Sequence, residues 1–337
     1  MQRIKSLDFN IPLRPRSKSY FSTKANRIMS RIVFALPFRS DVISGGQKMI
    51  YWTASLLARH GLDAVVWQGH GRPSWFQSDA PYSATRPALT ENDVIVLPED
   101  VPASAAIKLL EGVAPRRILF CQNPFHYLRT RHRDPTPFTW DGGMTVGISN
   151  ASLVRRTSGL ASLHVVRVAV DGAVFRPAAK TLRVCTVPRK LPQECDAIKA
   201  GLALLHPDLA EVPWLRIERF SENEVAAAMG HSAVFLSLCH REALPLTPLE
   251  AMAAGCAVVG YHGGGGLDYA NCANGRWFDH DAVEGVIDAL AQVLRGVQAG
   301  DPAIAATIAA GEETASGYTP AKVEAGFLDA FSTFGLI

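Results

Sequence analysis

Short apolar runs of strand length alternate with stretches of helical period, and this alternation passes along the chain twice. "RIVFALP" (31–37) leads into a loop with Gly45 and Gly46, a helical stretch from Gln47 to His60, and then "DAVVWQ" (63–68). In the helical stretch Met49, Ile50, Thr53, Leu56 and Leu57 share one face, and Gly61 stands where a left-handed residue would end the helix. Strand-like runs return at 93–99, 116–122 and 144–149. After "VAVDGAVFRP" (168–177), whose Gly and Pro suit a connection between domains, a second series brings "TLRVCTVP" (181–188), "WLRIERF" (214–220), "SAVFLSL" (232–238) and "CAVVGYH" (256–262). The amphipathic stretch "FDHDAVEGVIDALAQVLRG" follows. Strands alternating with helices imply α/β architecture: two Rossmann-like, doubly wound parallel sheets, 31–170 and 171–316. Ligands of such sheets bind beyond the carboxyl ends of the strands, so the expected site is a cleft between the two domains.

A length of 337 residues agrees with two domains, and 48% apolar with 19% charged residues marks a globular chain. No stretch of 18 uninterrupted apolar residues exists, so no membrane-spanning helix is expected. The six cysteines are scattered without a C-x-x-C pair, which argues against a zinc site and a disulfide framework and suits free thiols in a reducing cytosol. Charge is uneven. Residues 1–31 hold eight Lys/Arg and Asp8 as their single acid, leaving 26 bases and 30 acids in a slightly acidic body for which we expect no nucleic-acid partner. The stretch 1–30 has neither the apolar centre of a signal peptide nor a helical period and reads as a flexible basic arm. Such an arm could hold a cytoplasmic protein peripherally against anionic lipid, each cation adding about 1 kcal/mol. A solvated tail, or an extension upstream of a start at Met29, are the other readings.

"HREALPLTPLEAMAAG" (240–255) carries the chemistry. The strand 232–238 delivers Glu242 to its carboxyl end, and "TPLE" opens a helix in which Thr247 is an N-cap candidate, Pro248 suits the first position and Glu250 completes a capping box. A second reading gives the same residues a ligand. Peptide N–H groups near Leu244–Leu246 and a helix start suit a phosphate, and a carboxylate there can accept two hydrogen bonds from a vicinal diol. A nucleoside diphosphate meets both needs.

Glu242, Ala243, Leu244, Pro245, Leu246, Thr247, Pro248, Leu249 and Glu250, followed by "AMAAGCAVVG", resemble the E-x7-E signature of retaining GT-B glycosyltransferases of the family 4 type. The resemblance extends over roughly 31–335, through the opening strand with Gly45 and Gly46, the segment 168–177 and the late helix. It implies that Glu250 binds the donor ribose, Glu242 contacts the transferred sugar, and Ala243, Leu244, Pro245, Leu246 and Thr247 line the sugar and diphosphate. Gly45 and Gly46 would close the donor pocket from the amino-terminal, acceptor-side domain. Arg189 and Lys190 match the place where the family carries an Arg and a Lys to meet the leaving diphosphate. Here they are adjacent, not several residues apart, so on an extended segment they point opposite ways, and Arg189 is the one expected to face the site. Where the family often has a His after its fourth strand, Asn123 stands here, with His126 as an acceptor-side candidate; His240 and His262 lie near the same cleft. The stretch 317–337, with Val323, Phe327, Ala330 and Phe331 at helical spacing, resembles the family's final helix returning to the first domain, its stripe serving packing.

The resemblance thus implies a nucleoside-diphosphate sugar as donor, a saccharide or lipid-linked saccharide as acceptor, no cofactor and no metal. "DHD" (279–281) resembles a metal-binding carboxylate pair, but its place before a helix suits Asp281 as an N-cap. The run Gly263–Gly266 lacks the G-x-G-x-x-G spacing of a dinucleotide loop. Two other readings stay open: a nucleotide-sugar 2-epimerase on the same scaffold, and a binding protein without turnover.

Overall fold

The computed structural model describes residues 30–110 and 112–337; the basic arm expected over 1–30 lies, Ser30 apart, outside them. The first half of the chain runs β1 (Ile32–Ala35), α1 (Gly45–Arg59), β2 (Ala64–Trp67), β3 (Tyr82–Ser83), β4 (Val94–Pro98), α2 (Ala103–Leu109), β5 (Arg116–Cys121), α3 (Pro124–Arg133), β6 (Gly142–Val146), α4 (Ala151–Ser158) and β7 (His164–Val166). The second runs β8 (Thr181–Thr186), α5 (Pro192–Leu205), β9 (Trp214–Arg216), α6 (Glu222–His231), β10 (Ser232–Glu242), α7 (Leu246–Ala253), β11 (Ala257–Gly264), β12 (Arg276–Phe278), α8 (Val283–Ala299), α9 (Pro302–Ser316) and α10 (Pro320–Thr333).

The strands form two parallel sheets, ordered β3-β2-β1-β4-β5-β6-β7 and β12-β11-β10-β8-β9. Their cores are the apolar runs: Ile32, Phe34, Val94, Val96, Ile118 and Phe120 in the first, Val184, Val234, Leu236, Val259 and Tyr261 in the second, all buried. Strand order reverses between β1 and β4 in one sheet and between β8 and β10 in the other. Crossovers leave these points on opposite sides, opening a crevice at the carboxyl ends of the flanking strands. The first crevice is edged by Gly45, Gly46 and Glu99, the second by Arg189, Lys190 and Glu242.

The chain crosses between the sheets at 168–177 and again after α9. α10 returns to the first sheet, where the Phe327 ring packs edge-on against Trp52 and Phe120 with centroids 5.3 and 6.0 Å apart. Phe331 lies 6.3 Å from Phe34, and Val323, Phe327, Ala330 and Phe331 form the buried stripe.

Two local expectations are overturned. α1 begins at Gly45, so Gly45 and Gly46 are its first turn, not a loop before it. α8 begins at Val283 with Ala282 as N-cap and no side-chain cap. Asp281, left-handed at φ 73° and two residues before the helix, instead holds His280 Nδ1 at 2.7 Å.

Candidate functional site

Glu250 is not a capping glutamate. α7 begins at Leu246 with Pro245 in the N-cap position and no side-chain cap, which places Thr247 second, Pro248 third and Glu250 fifth in the helix. A fifth-position carboxylate cannot reach back to the cap residue's N–H, so the Thr247–Glu250 pairing fails geometrically. Thr247 Oγ1 lies instead 3.8 Å from Cys239 Sγ. No group among the described residues donates a hydrogen bond to the Glu250 carboxyl, and burial pushes its pKa up against the opposing pull of Lys48 from the other domain.

α1 and α7 start beside one another. A Cβ on Gly45 would come within 3.0 Å of Leu246 Cδ1, the first residue of α7. Neither helix has a side-chain cap. Two sets of unpaired first-turn N–H groups, each with the positive end of a helix dipole, therefore converge from opposite domains. On Gly46, a Cβ would stand 3.4 Å from Gln122 Nε2, which donates to the Gly46 carbonyl at 3.0 Å.

Glu242 ends β10 and forms an ion pair of 2.5 Å with Lys190, whose Nζ also donates to the His240 carbonyl at 3.1 Å. Lys190 is half-buried; Arg189 is exposed, on the side from which its charge reaches His126. Arg189 and Lys190 are not on an extended segment as expected but are the central residues of a turn closed by the Leu191 amide on the Pro188 carbonyl at 2.9 Å, and Lys190 is the inward member where Arg189 was expected. The pairing of β10 with β11 slips between Cys239 and Glu242, and Arg241 is left-handed at φ 51°. Such a bulge re-aims side chains at a strand end. His240 and Arg241, which a regular strand would send to opposite faces, line the same cavity here.

The loop Glu242–Leu246 is gripped from several sides. Tyr269 Oη donates to the Pro245 carbonyl at 2.9 Å and Asn150 Nδ2 to the Ala243 carbonyl at 3.4 Å. Gly265 lies so close that a Cβ would meet the Ala243 carbonyl oxygen at 1.9 Å. The run Gly263–Gly266 is thus the floor of this loop. Ala243 and Leu244 are buried, Leu246 half-buried.

From the first domain, Asn123 caps α3 by accepting from the Phe125 and His126 amides at 3.0 and 3.4 Å, and its Nδ2 donates to the Arg241 carbonyl across the cleft at 3.2 Å. His126 is half-buried and its pKa lowered, first by burial and then by Arg129, Lys190 and Arg189. His126 and His240 share a cavity of about 400 Å³ with Phe125, Leu128, Arg129, Lys190 and Arg241. His262 faces Asp279 at 2.9 Å, away from that cavity's lining.

Two features were not singled out in the sequence. Glu99, the residue after β4, is buried and accepts from the Gln122 amide at 2.9 Å; burial, then the neighbouring Asp100 carboxylate, push it up to about 8. The signal was there in "DVIVLPE", an acid closing an apolar strand. Lys48, in the first turn of α1, pairs with Glu222 of α6 in the opposite domain, and neither side chain is more than 21% exposed. Of the groups that could hold a metal, Glu194, His280 and Asp281 bring ligand atoms within 4.8 Å of one another. The imidazole is already engaged on both nitrogens, by Asp281 and, at 3.5 Å, by Glu194. No helix among the described residues is long and apolar enough to cross a membrane.

Comparison with known proteins bears on the fold and on the second domain. The family described as glycosyl transferases group 1 matches residues 217–300. An α-1,6-glucosyltransferase of Actinobacillus pleuropneumoniae is 26% identical over 191 residues, 52% of this chain and 54% of that protein, so the chain spans about half the length of the curated relative it matches. Among solved structures, a glycosyltransferase from Rickettsia africae aligns with a TM-score of 0.66 at 12% identity, over 91% of this chain and 98% of the other. The Anabaena protein HepE in complex with UDP-glucose aligns with a TM-score of 0.66 at 13% identity, over 90% and 99%. The chain therefore has the fold of the GT-B glycosyltransferases, and its second domain carries the glycosyl transferases group 1 segment.

Proposed function

We propose that the protein is a retaining glycosyltransferase that moves a hexose from a nucleoside-diphosphate sugar to a hydroxyl of a saccharide or lipid-linked saccharide. The observation that carries this reading is the convergence of the α1 and α7 starts beside the Lys190–Glu242 pair. Two helix starts and a cation form a cradle for a diphosphate, and they stabilise the charge that builds on it as the glycosidic bond breaks. Glu250, with no hydrogen-bond donor of its own among the described residues, accepts from the ribose hydroxyls. Glu242 meets the sugar, and Asn123 and His126 stand on the acceptor side. The bond from sugar C1 to the diphosphate oxygen breaks, a bond from C1 to the acceptor oxygen forms on the same face, and the acceptor proton passes to the departing phosphate. UDP-glucose bound to HepE makes a uridine nucleotide the first donor to try.

The test is thermal unfolding with UDP, GDP, ADP, CMP and dTDP, for wild type and Glu250→Ala. Saturation at 100 times the dissociation constant adds about 2.7 kcal/mol. A shift with one nucleotide, absent in the variant, supports the donor site; a variant that shifts like the wild type removes Glu250 from it. Transfer from the matching sugar nucleotide should fall roughly 100-fold or more in Glu242→Gln, and an undiminished rate would sink its assignment.

A further inference from the structure

The cavity between α3 and the end of β10 holds more positive charge than a donor diphosphate uses. Its cations come from both walls, Arg129 from the first domain, Lys190 and Arg241 from the second, and no carboxylate lines it. Lys190 is answered by Glu242. Arg129 and Arg241 have no ion-pair or hydrogen-bond partner for their side chains among the described residues, and both are exposed to the cavity mouth. The charge of Arg129 reaches Asp100, whose pKa burial nonetheless raises. The imidazoles in the cavity register the excess: after burial, His126 is held down by Arg129, Lys190 and Arg189, and His240 by His280, Arg241 and Lys190, with Asp281 as the opposing acid.

Arg241 is the telling residue. A left-handed backbone disfavours any side chain with a Cβ, and a glycine would relax it. The chain keeps a long cation there, at the one bulge that turns it into the cavity. Strain held at a site without a local partner for the side chain points to a ligand. Beside the two guanidinium groups, Phe125 and Leu128 offer an apolar face against which a sugar ring can lie.

Resting on the transferase reading above, we propose that this cavity is the acceptor subsite and selects an acidic acceptor: a saccharide bearing a phosphate or carboxylate next to the attacking hydroxyl, gripped between Arg129 and Arg241. Guanidinium groups meet either anion in two-pronged fashion, which orients the sugar as well as attracting it.

Calorimetric titrations of the whole protein, saturated with whichever nucleoside diphosphate stabilises it, decide the matter. The probes are glucose 6-phosphate, glucuronate and inorganic phosphate, each against glucose. At least one anion should bind about ten-fold or more tightly than glucose, a preference that R129Q and R241G each abolish. R241G should unfold no earlier than the wild type, so its loss of binding cannot be a loss of fold. If no anion is preferred, or the preference survives both variants, the acidic acceptor is refuted while the donor site stands. Were no nucleoside diphosphate to stabilise the wild type, the transferase reading would fall and this one with it.

Discussion

Glu99 and Arg241 both look misplaced for stability, one a carboxyl buried in an apolar strand end and the other a left-handed arginine. With its pKa raised from 4.5 to about 8, the folded chain holds the Glu99 proton more tightly than the unfolded chain does. Its contribution is therefore complete below about pH 4.5 and is lost as pH rises to about 8. Asp100 and Glu250, also raised, act in the same direction. Glu99→Gln, which keeps an oxygen for the Gln122 amide, should be more stable than wild type at about pH 8 and no more stable at about pH 5, by urea unfolding at each pH. Equal differences at the two pH values would mean that Glu99 does not titrate in this range. For Arg241→Gly the expectation is a gain of about 1 kcal/mol in the same assay; a loss would show that the side chain packs as well as points.

The element that carries the site is the turn from β10 into α7, and its shape depends on a neighbour. Gly265 leaves room for the Ala243 carbonyl, and a methyl group there would sit 2.6 Å from the Glu242 carbonyl oxygen as well. Gly265→Ala should destabilise by about 1–3 kcal/mol and weaken nucleotide binding; an unaltered unfolding midpoint would show that the loop yields freely. This dependence marks what could be read from the chain alone. The strands were legible because Val94–Pro98 or Ala257–Val259 are apolar runs whose burial needs no further information. Glu242 and Glu250 were legible as a spaced pair. Their setting was not, because "TPLE" carries the same capping signal wherever the helix starts, and the helix starts at Leu246, two residues before Pro248. The bulge before Glu242 is a property of the β10–β11 pairing and has no local signature. Arg189 and Lys190 read as an extended pair but sit in a turn after β8, and the His240 carbonyl and Glu242 hold Lys190 as the inward one. α9 has a local signal, Asp301 accepting from the Ala303 amide at 2.8 Å with Pro302 first in the helix, but the small residues that follow give it no apolar period.

At the scale of the molecule, two crevices from two sheets face each other, and the domains touch along their rim. Ser149 and Ile148 amides donate to Asp268 at 3.0 and 2.5 Å, Asn123 reaches Arg241, and Lys48 joins Glu222 close to Glu250. A partly buried pair is worth about 1 kcal/mol, roughly a five-fold change in the ratio of closed to open forms. Lys48→Met should accordingly raise the radius of gyration in solution scattering without nucleotide, with saturating nucleotide restoring it. An unchanged radius in the nucleotide-free variant would show that Lys48 does not govern closure.

α10 gives the molecule a history as well as a shape. The first sheet is made early on the ribosome, yet the rings that complete its core, Phe327 and Phe331, belong to the fourteen-residue helix Pro320–Thr333 and emerge only after the whole second domain has been synthesised. Until then Phe34, Trp52 and Phe120 lack their covering layer, and at about 5–20 residues per second that interval lasts many seconds. Until Pro320–Thr333 has emerged the first domain therefore keeps an apolar face open, and a chain cut ahead of Pro320, though it holds every strand of the first sheet, should keep an unfinished core.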